Sequence, residues 1–167
     1  SYINGRLAIG NLTGQADRAT ILAFSGQYLT GKVQQTDAYD FELRHLWSFR
    51  RSGGDILGHF VYSADVEGDA REEVFVSAAM LRPNGSVAWE RTDLRNDHAD
   101  SIRLGDLDDD GNLEVACCYS GQGVQVLNAA TGDTLWHYPT NHAQQIEIAD
   151  VRPDVPGIEV IVGDRFY

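Results

Sequence analysis

The sequence predicts an all-β fold, a β-propeller made of four-stranded blades with acidic calcium-type loops, of which this chain forms part of a larger ring. Three segments share one layout, in which a strand leads into an acidic loop that begins at Asp65, Asp106 or Asp150. These aspartates are 41 and 44 residues apart, which is the length of a four-stranded blade. No segment keeps an apolar period of about 3.6 residues over the length of a helix, so strands are expected throughout.

The shared layout divides the chain into units. We expect blades at residues 1–50, 51–92 and 93–138, followed by an incomplete blade at 139–167. The first unit is the least regular, because Asn11 stands where the other units carry the loop aspartate. Propellers have about four to eight blades, so the remaining blades of the ring are expected as partners of this chain.

One tryptophan recurs in each unit, at Trp47, Trp89 and Trp136, always in the last strand-like piece. An aromatic ring packed between neighbouring sheets explains this recurrence, and a role in ligand binding is the alternative. The adjacent Cys117 and Cys118 should point to opposite faces of one strand, which places them badly for a disulfide with each other.

Composition restricts the class of partner. The chain has 167 residues, of which 43% are apolar, and a formal net charge of −12. That size and composition suit one globular unit with a sizeable core. Without a basic run, nucleic acid and anionic membranes are poor partners. The apolar stretches have the length of strands, well short of the ~20 residues of a spanning helix, and no signal peptide is recognisable at Ser1.

The loop at residues 106–114 carries the strongest metal-binding pattern. It has acids at positions one, three, five and nine and a glycine at position six. Alternate side chains can then converge on one point, and Ca²⁺ binds oxygen ligands of this kind. The predicted calcium ligands are Asp106, Asp108, Asp110, Asn112 and Glu114. The alternative is a solvated turn whose aspartates accept hydrogen bonds from their own backbone amides.

The other two loops vary this pattern. The second loop keeps the acids but has Ala70 where the sixth-position glycine should be, and its predicted ligands are Asp65, Glu67, Asp69 and Glu73. The third loop, residues 150–159, lacks the third-position acid and contains two prolines, so we expect a rigid loop without a metal. We expect an ion in these loops to fix the loop and its blade, with a catalytic role secondary.

The chain resembles the propeller-type polysaccharide lyases, above all the family 11 rhamnogalacturonan lyases, with the ulvan lyases as near relatives. The resemblance rests on the acidic loop at 106–111 and on residues 141–159, and it covers most of the chain. Residues 21–28 are similar to a segment that ends in a Gly-Tyr-Tyr signature, although Gln27 replaces the first tyrosine. Residues 96–100 are similar to a Gly-His-Gly-Asp-Ala signature.

The resemblance implies β-elimination of a uronate-containing acidic polysaccharide, and it implies candidate residues. Such a reaction needs a base, a group that neutralises the uronate carboxylate, and an acid for the leaving oxygen. The candidate catalytic residues are Tyr28, Arg44, His98 and His142, and His59 is a candidate substrate contact. His98 and His142 both lie eight residues before a loop aspartate, whereas His59 lies six before Asp65.

Simpler alternatives stay open for each of these residues. Tyr28 could be a surface or interblade tyrosine, Arg44 could simply pair with Glu42, and the histidines could hydrogen-bond to a neighbouring blade. For the whole chain, the alternative to a lyase is a non-catalytic, calcium-stabilised propeller that binds carbohydrate or protein. On the lyase interpretation we expect a secreted or periplasmic protein whose partner is an acidic polysaccharide.

Overall fold

The computed structural model describes residues 3–27, 33–52, 58–94 and 97–164. Within these ranges the chain forms strands joined by turns and loops and contains no helix, which confirms the all-β prediction. It follows that no described segment is a helix long and apolar enough to cross a membrane.

The strands form four antiparallel sheets, each made of strands that follow one another along the chain. Sheet 1 contains β1 (Ile3–Gly10), β2 (Thr20–Gln27), β3 (Val33–Tyr39) and β4 (His45–Ser52). Sheet 2 contains β5 (Val61–Ala64), β6 (Glu73–Val76), β7 (Ala79–Leu81) and β8 (Val87–Glu90). Sheet 3 contains β9 (Ala99–Gly105), β10 (Glu114–Tyr119), β11 (Gly123–Asn128) and β12 (Thr134–Tyr138). Sheet 4 contains β13 (Ala143–Ala149) and β14 (Glu159–Asp164).

The core lies between successive sheets rather than inside any one of them. Leu22 and Phe24 of sheet 1 pack with Val74 of sheet 2, and Phe75 on the other face of sheet 2 packs with Ile102 of sheet 3. A third cluster joins sheets 3 and 4. Because alternate side chains of a strand face opposite sides, an inner sheet can bury both its faces, as the fully buried strand β10 does.

Two tryptophans join neighbouring sheets in the same way. Trp47 Nε1 donates to the carbonyl of Pro83 at 2.9 Å, and its ring covers Gly85 so closely that an added Cβ would lie 2.6 Å from Cδ2. Trp89 Nε1 likewise donates to the carbonyl of Ala129 at 2.9 Å, and its ring covers Gly132. The packing interpretation of these two tryptophans is therefore confirmed.

The third tryptophan is in a different environment. Trp136 is 47% exposed and stacks on Tyr138 with the ring planes 9° apart and the centroids 6.0 Å apart. Beside it, Leu107, Val126 and Val160 line an open apolar cavity of about 320 Å³. Among the described residues, no glycine lies beneath the Trp136 ring as Gly85 and Gly132 lie beneath the other two tryptophan rings.

The two cysteines behave as the strand pattern predicts. Cys117 and Cys118 are both fully buried, Cys117 in the cluster between sheets 2 and 3 and Cys118 in the cluster between sheets 3 and 4. Burial raises the pKa of the Cys117 thiol well above its ordinary value. Both cysteines therefore act as core residues.

Candidate functional site

The first strands of sheets 2, 3 and 4 lie side by side, and three functional side chains meet where β5 and β9 begin. His59 precedes β5, and its backbone amide donates to the carbonyl of Ala99 at 3.0 Å, which joins this segment to the start of β9. His98 immediately precedes β9, and Asp100 is the second residue of that strand. Backbone pairing between the two sheets therefore brings His59, His98 and Asp100 together.

A β-bulge orients Asp100. In the β9–β10 pairing Cys118 is opposite Ser101, whereas the next residue, Tyr119, is opposite Ala99, so Asp100 is the extra residue of the strand. Bulges often occur beside active sites because the unpaired residue can point in a direction that regular pleating does not allow. The β13–β14 pairing shifts in the same way and leaves Gln144 as its extra residue.

Three electron-rich atoms converge at this bulge. His98 Nε2 lies 2.9 Å from His59 Nε2 and 3.1 Å from Asp100 Oδ1, and His59 Nε2 lies 3.3 Å from the same Asp100 oxygen. The Asp100 side chain is 5% exposed, whereas each histidine side chain is 29% exposed. The cluster thus has a buried carboxylate at its base and two imidazoles open to solvent.

Ser120 and Asp97 support the cluster from behind. The Ser120 hydroxyl donates to Asp100 Oδ2 at 2.6 Å, and its oxygen also lies 3.0 Å from His98 Nδ1. The Asp97 carboxylate accepts hydrogen bonds from the amides of His98 and Gly121, at 2.7 and 2.8 Å. These contacts fix the β10–β11 turn, which carries Ser120, against the segment that carries His98.

The charge state of Asp100 follows from these contacts. Burial alone would raise the pKa of Asp100, but its contacts with His59, His98 and Ser120 outweigh burial and hold the pKa well below its ordinary value. Asp100 is therefore a carboxylate at neutral pH, and it gives the cluster a fixed negative charge.

The separations within the cluster fit a divalent cation. Ligand atoms about 2.1 Å from one ion lie about 3.0 Å apart at right angles and about 3.4 Å apart in a tetrahedron. The three observed separations, 2.9, 3.1 and 3.3 Å, lie within about 0.1 Å of this range. Two imidazoles and one carboxylate are also a recurrent donor set for divalent metals.

A polar cavity of about 260 Å³ opens beside the cluster and is lined by residues of β5, β9 and β13. Within it, Arg103 Nη1 donates to the Tyr62 hydroxyl at 2.7 Å, and the Arg103 guanidinium also pairs with Glu147. Nearby, the Arg6 guanidinium lies 5.5 Å from the ring centroid of Phe60. The first strands therefore present cationic groups on a protein whose net charge is −12.

The loop at 106–114 is the second group of three metal-ligating side chains that converges in the described ranges, with oxygens of Asp106, Asp108 and Glu114 within 4.8 Å of one another. Asp106 also accepts hydrogen bonds from two amides of its own loop, those of Asp110 and Gly111. Burial, and then repulsion by the neighbouring aspartates, raises the pKa of Glu114, although the Leu107 amide opposes this. The donor set fits a hard cation, which would relieve the crowding of negative charge.

In the other two acidic loops, carboxylates pair with an arginine or accept hydrogen bonds from backbone amides. In the second loop Asp69 pairs with Arg71, and Ala70 adopts a left-handed φ of 69°. In the third loop, the Glu159 carboxylate accepts hydrogen bonds from the amides of Val151 and Arg152. Within the described ranges, neither loop gathers three carboxylates as the loop at 106–114 does.

Of the other residues predicted from the sequence, none that the structure describes joins the cluster. Tyr28 lies outside the described residues. Arg44 lies in the turn between β3 and β4, is 69% exposed and pairs with Asp40 and Glu42, as the alternative interpretation suggested. His142 lies just before β13, where its Nε2 is 3.1 Å from the side-chain amide of Gln144, a residue that lines the polar cavity.

Sequence reasoning missed Asp100 and Ser120 and gave His59 a secondary place. One signal was available, because His59 lies six residues before Asp65 and Asp100 lies six before Asp106. The two residues therefore occupy the same position in neighbouring units. Ser120 gave no signal, because its importance depends on the hairpin turn that places it beside His98.

Comparison with known proteins identifies relatives of the chain. The family model of rhamnogalacturonan lyase family 11, C-terminal domain, matches residues 4–165. The structure of rhamnogalacturonan lyase YesW is similar, with 25% identity and a TM-score of 0.78 over 95% of this chain and 28% of that chain. For the Bacillus licheniformis rhamnogalacturonan lyase PL11 the identity is 22% and the TM-score 0.76, over 94% and 28% of the two chains.

A more distant likeness extends to a protein of another kind. The V. cholerae biofilm matrix protein Bap1 has 18% identity and a TM-score of 0.61 over 86% of this chain and 22% of that chain, which shows a shared fold alone. No curated protein matches the chain. The chain spans about 28% of the lyase structures that it matches. Because the family model covers nearly all of it, the chain belongs to rhamnogalacturonan lyase family 11, whose C-terminal domain it matches.

Proposed function

We propose that this chain is part of a β-propeller polysaccharide lyase, and that the His59–His98–Asp100 cluster is its substrate-facing centre. The observation that carries the proposal is the convergence of His59 Nε2, His98 Nε2 and Asp100 Oδ1 to within 3.3 Å on a solvent-open surface. The relatives that share most of the chain are rhamnogalacturonan lyases, so the proposed substrate is a uronate-containing polysaccharide of the rhamnogalacturonan type. An enzyme with this substrate is expected to be secreted or periplasmic.

The cluster would neutralise a uronate carboxylate. His59, His98 and Asp100 would hold a divalent cation, which when bound supplies the positive charge that lowers the pKa of the proton alpha to the carboxylate. Arg6, and Arg103 with its partner Glu147, lie along the same surface, where their guanidinium groups can donate hydrogen bonds to an anionic chain of sugars. Among the predicted proton-transfer groups, His142 is near the cavity through Gln144, and Tyr28 stays a candidate base.

The same sheets support a larger ring. Three four-stranded sheets share one strand order, and each tryptophan–glycine contact joins one sheet to the next. Trp136 occupies the position of Trp47 and Trp89, yet it is half exposed beside a two-stranded sheet. We propose that further blades cover this face, and that Ca²⁺ bound by the loop at 106–114 stiffens the ring without entering the chemistry.

The test is β-elimination by the full-length protein, followed through the ultraviolet absorbance of the 4,5-unsaturated uronate on rhamnogalacturonan, with ulvan as the competing substrate. His98→Gln should lower kcat/KM by about 10²-fold or more, and His142→Gln by about 10²–10⁴-fold if it transfers a proton. His137→Gln is the control, because His137 is exposed and binds the Gln122 carbonyl away from the cluster. Sugar binding without any absorbance change would instead favour a non-catalytic binding propeller.

A further inference from the structure

We propose that Ser120 is a positioning residue that holds His98 in the tautomer with the proton on Nδ1 and none on Nε2. The proposal deepens the proposed function, since it gives His98 the form in which Nε2 can bind a cation. It rests on the hydrogen-bond geometry around one hydroxyl group.

The Ser120 hydroxyl has a single proton to donate. At 2.6 Å from Asp100 Oδ2 it lies at the distance of a charge-assisted bond to a carboxylate, which can only accept. The proton of Ser120 is therefore committed to Asp100. His98 Nδ1, 3.0 Å from the same hydroxyl oxygen, must then be the donor of the second bond.

This assignment determines the other side of the imidazole. With the proton on Nδ1, neutral His98 presents an unprotonated Nε2 to Asp100 Oδ1 at 3.1 Å and to His59 Nε2 at 2.9 Å. A lone pair and a carboxylate oxygen at this separation repel each other unless a cation lies between them. Ser120 thus keeps His98 Nε2 unprotonated, so that this nitrogen and Asp100 Oδ1 can both bind a cation.

The position of Ser120 is itself fixed. Its backbone amide donates to the His98 carbonyl at 3.1 Å, and the Asp97 carboxylate ties Gly121 to the His98 amide. An added Cβ on Gly121 would lie 3.2 Å from Asp97 Oδ2, which shows how closely the turn packs there. Because these contacts fix the position of Ser120, its hydroxyl group determines the tautomer of His98 and does not move with the imidazole ring.

The direct experiment is long-range ¹H–¹⁵N correlation spectroscopy of the full-length protein, selectively labelled at histidine and stripped of metal with a chelator. At roughly pH 8, above the ordinary histidine pKa, the two ring nitrogens show which one carries the proton. Loss of its signals in His98→Gln assigns the residue. We expect Nδ1–H in the wild type and in Ser120→Thr, and a switch toward Nε2–H, donating to Asp100, in Ser120→Ala.

Mn²⁺ titration provides a second readout that does not depend on lyase activity. Loss of the Ser120 hydroxyl should weaken Mn²⁺ binding by about 10–100-fold, whereas Ser120→Thr should bind within a few-fold of the wild type. Ser86→Ala is the matched control, because Ser86 lies in the exposed turn of Asn84, away from the cluster. Wild-type His98 protonated at Nε2, or a tautomer unchanged in Ser120→Ala, would overturn the proposal. An Nδ1–H tautomer in a protein that binds no Mn²⁺ would leave it standing and reject the metal centre instead.

Discussion

The contact between Trp47 and Gly85 offers a quantitative test of how the sheets are held together. Gly85 lies in the β7–β8 turn with φ of 83°, directly beneath the Trp47 ring of sheet 1. The substitution Gly85→Ala introduces a methyl group that would lie 2.6 Å from Trp47 Cδ2 and 2.7 Å from Cγ. Neither ring atom can move aside easily, because Nε1 of the same indole is hydrogen-bonded to Pro83.

Two costs add in this variant. A non-glycine residue in the left-handed region costs about 1–2 kcal/mol, and forcing a methyl group into a packed interface costs about 1–3 kcal/mol more. Gly85→Ala should therefore lower the free energy of unfolding by about 2–5 kcal/mol. Gly111→Ala separates the two costs, because Gly111 has a similar φ of 88° and an added Cβ would meet nothing within 4 Å. This control should lose only the backbone cost, about 1–2 kcal/mol.

The assay is urea denaturation of the full-length protein and both variants in the presence of a chelator, so that metal binding does not contribute. Combining Gly85→Ala with Trp47→Leu completes a double-mutant cycle, in which the extra cost of the methyl group should disappear. If Gly85→Ala and Gly111→Ala lose the same free energy of unfolding, the added methyl group does not clash with the Trp47 ring. An extra cost that persists in the Trp47→Leu background would show that it does not arise from the indole.

Three further predictions follow from single sites. Ala70→Gly should stabilise the protein by roughly 0.5–1 kcal/mol in the same urea titration, because it removes a left-handed φ of 69° from a non-glycine residue, and a loss of stability would contradict this. Calcium should raise the thermal midpoint of the wild type and of Asp65→Asn but much less that of Asp106→Asn, and equal shifts in all three would place the ion elsewhere. In metal-free protein, the depressed pKa of Asp100 contributes stability that is present above about pH 4 and is lost as the pH falls. The urea midpoint should therefore fall more steeply between about pH 5 and pH 3 in the wild type than in Asp100→Asn.

The all-β fold could be predicted because its determinants are local and recurrent. The spacing of Asp65, Asp106 and Asp150 and the single tryptophan in each unit correspond to sheets with the same strand order. Packing against a neighbouring sheet was correct for Trp47 and Trp89 for the same reason. Trp136 shows the limit of such reasoning, since Trp47 and Trp89 are covered by a glycine turn of the next sheet, whereas no glycine of the described residues lies beneath Trp136.

The histidine cluster could be predicted only in part, because it depends on an irregularity of the backbone. A regular β9 strand would alternate Ala99, Asp100 and Ser101 between its two faces, and sequence reasoning assumes this alternation. The bulge at Asp100 breaks it, so that Asp100 and its neighbours are all buried and the carboxylate reaches both His98 and Ser120. Gln144 is the extra residue at the corresponding bulge of β13, where an uncharged amide replaces the carboxylate. The position six residues before the loop aspartate is thus His59, Asp100 and Gln144 in successive sheets, so this position presents a different functional group on each sheet, and the centre forms where the first two groups meet.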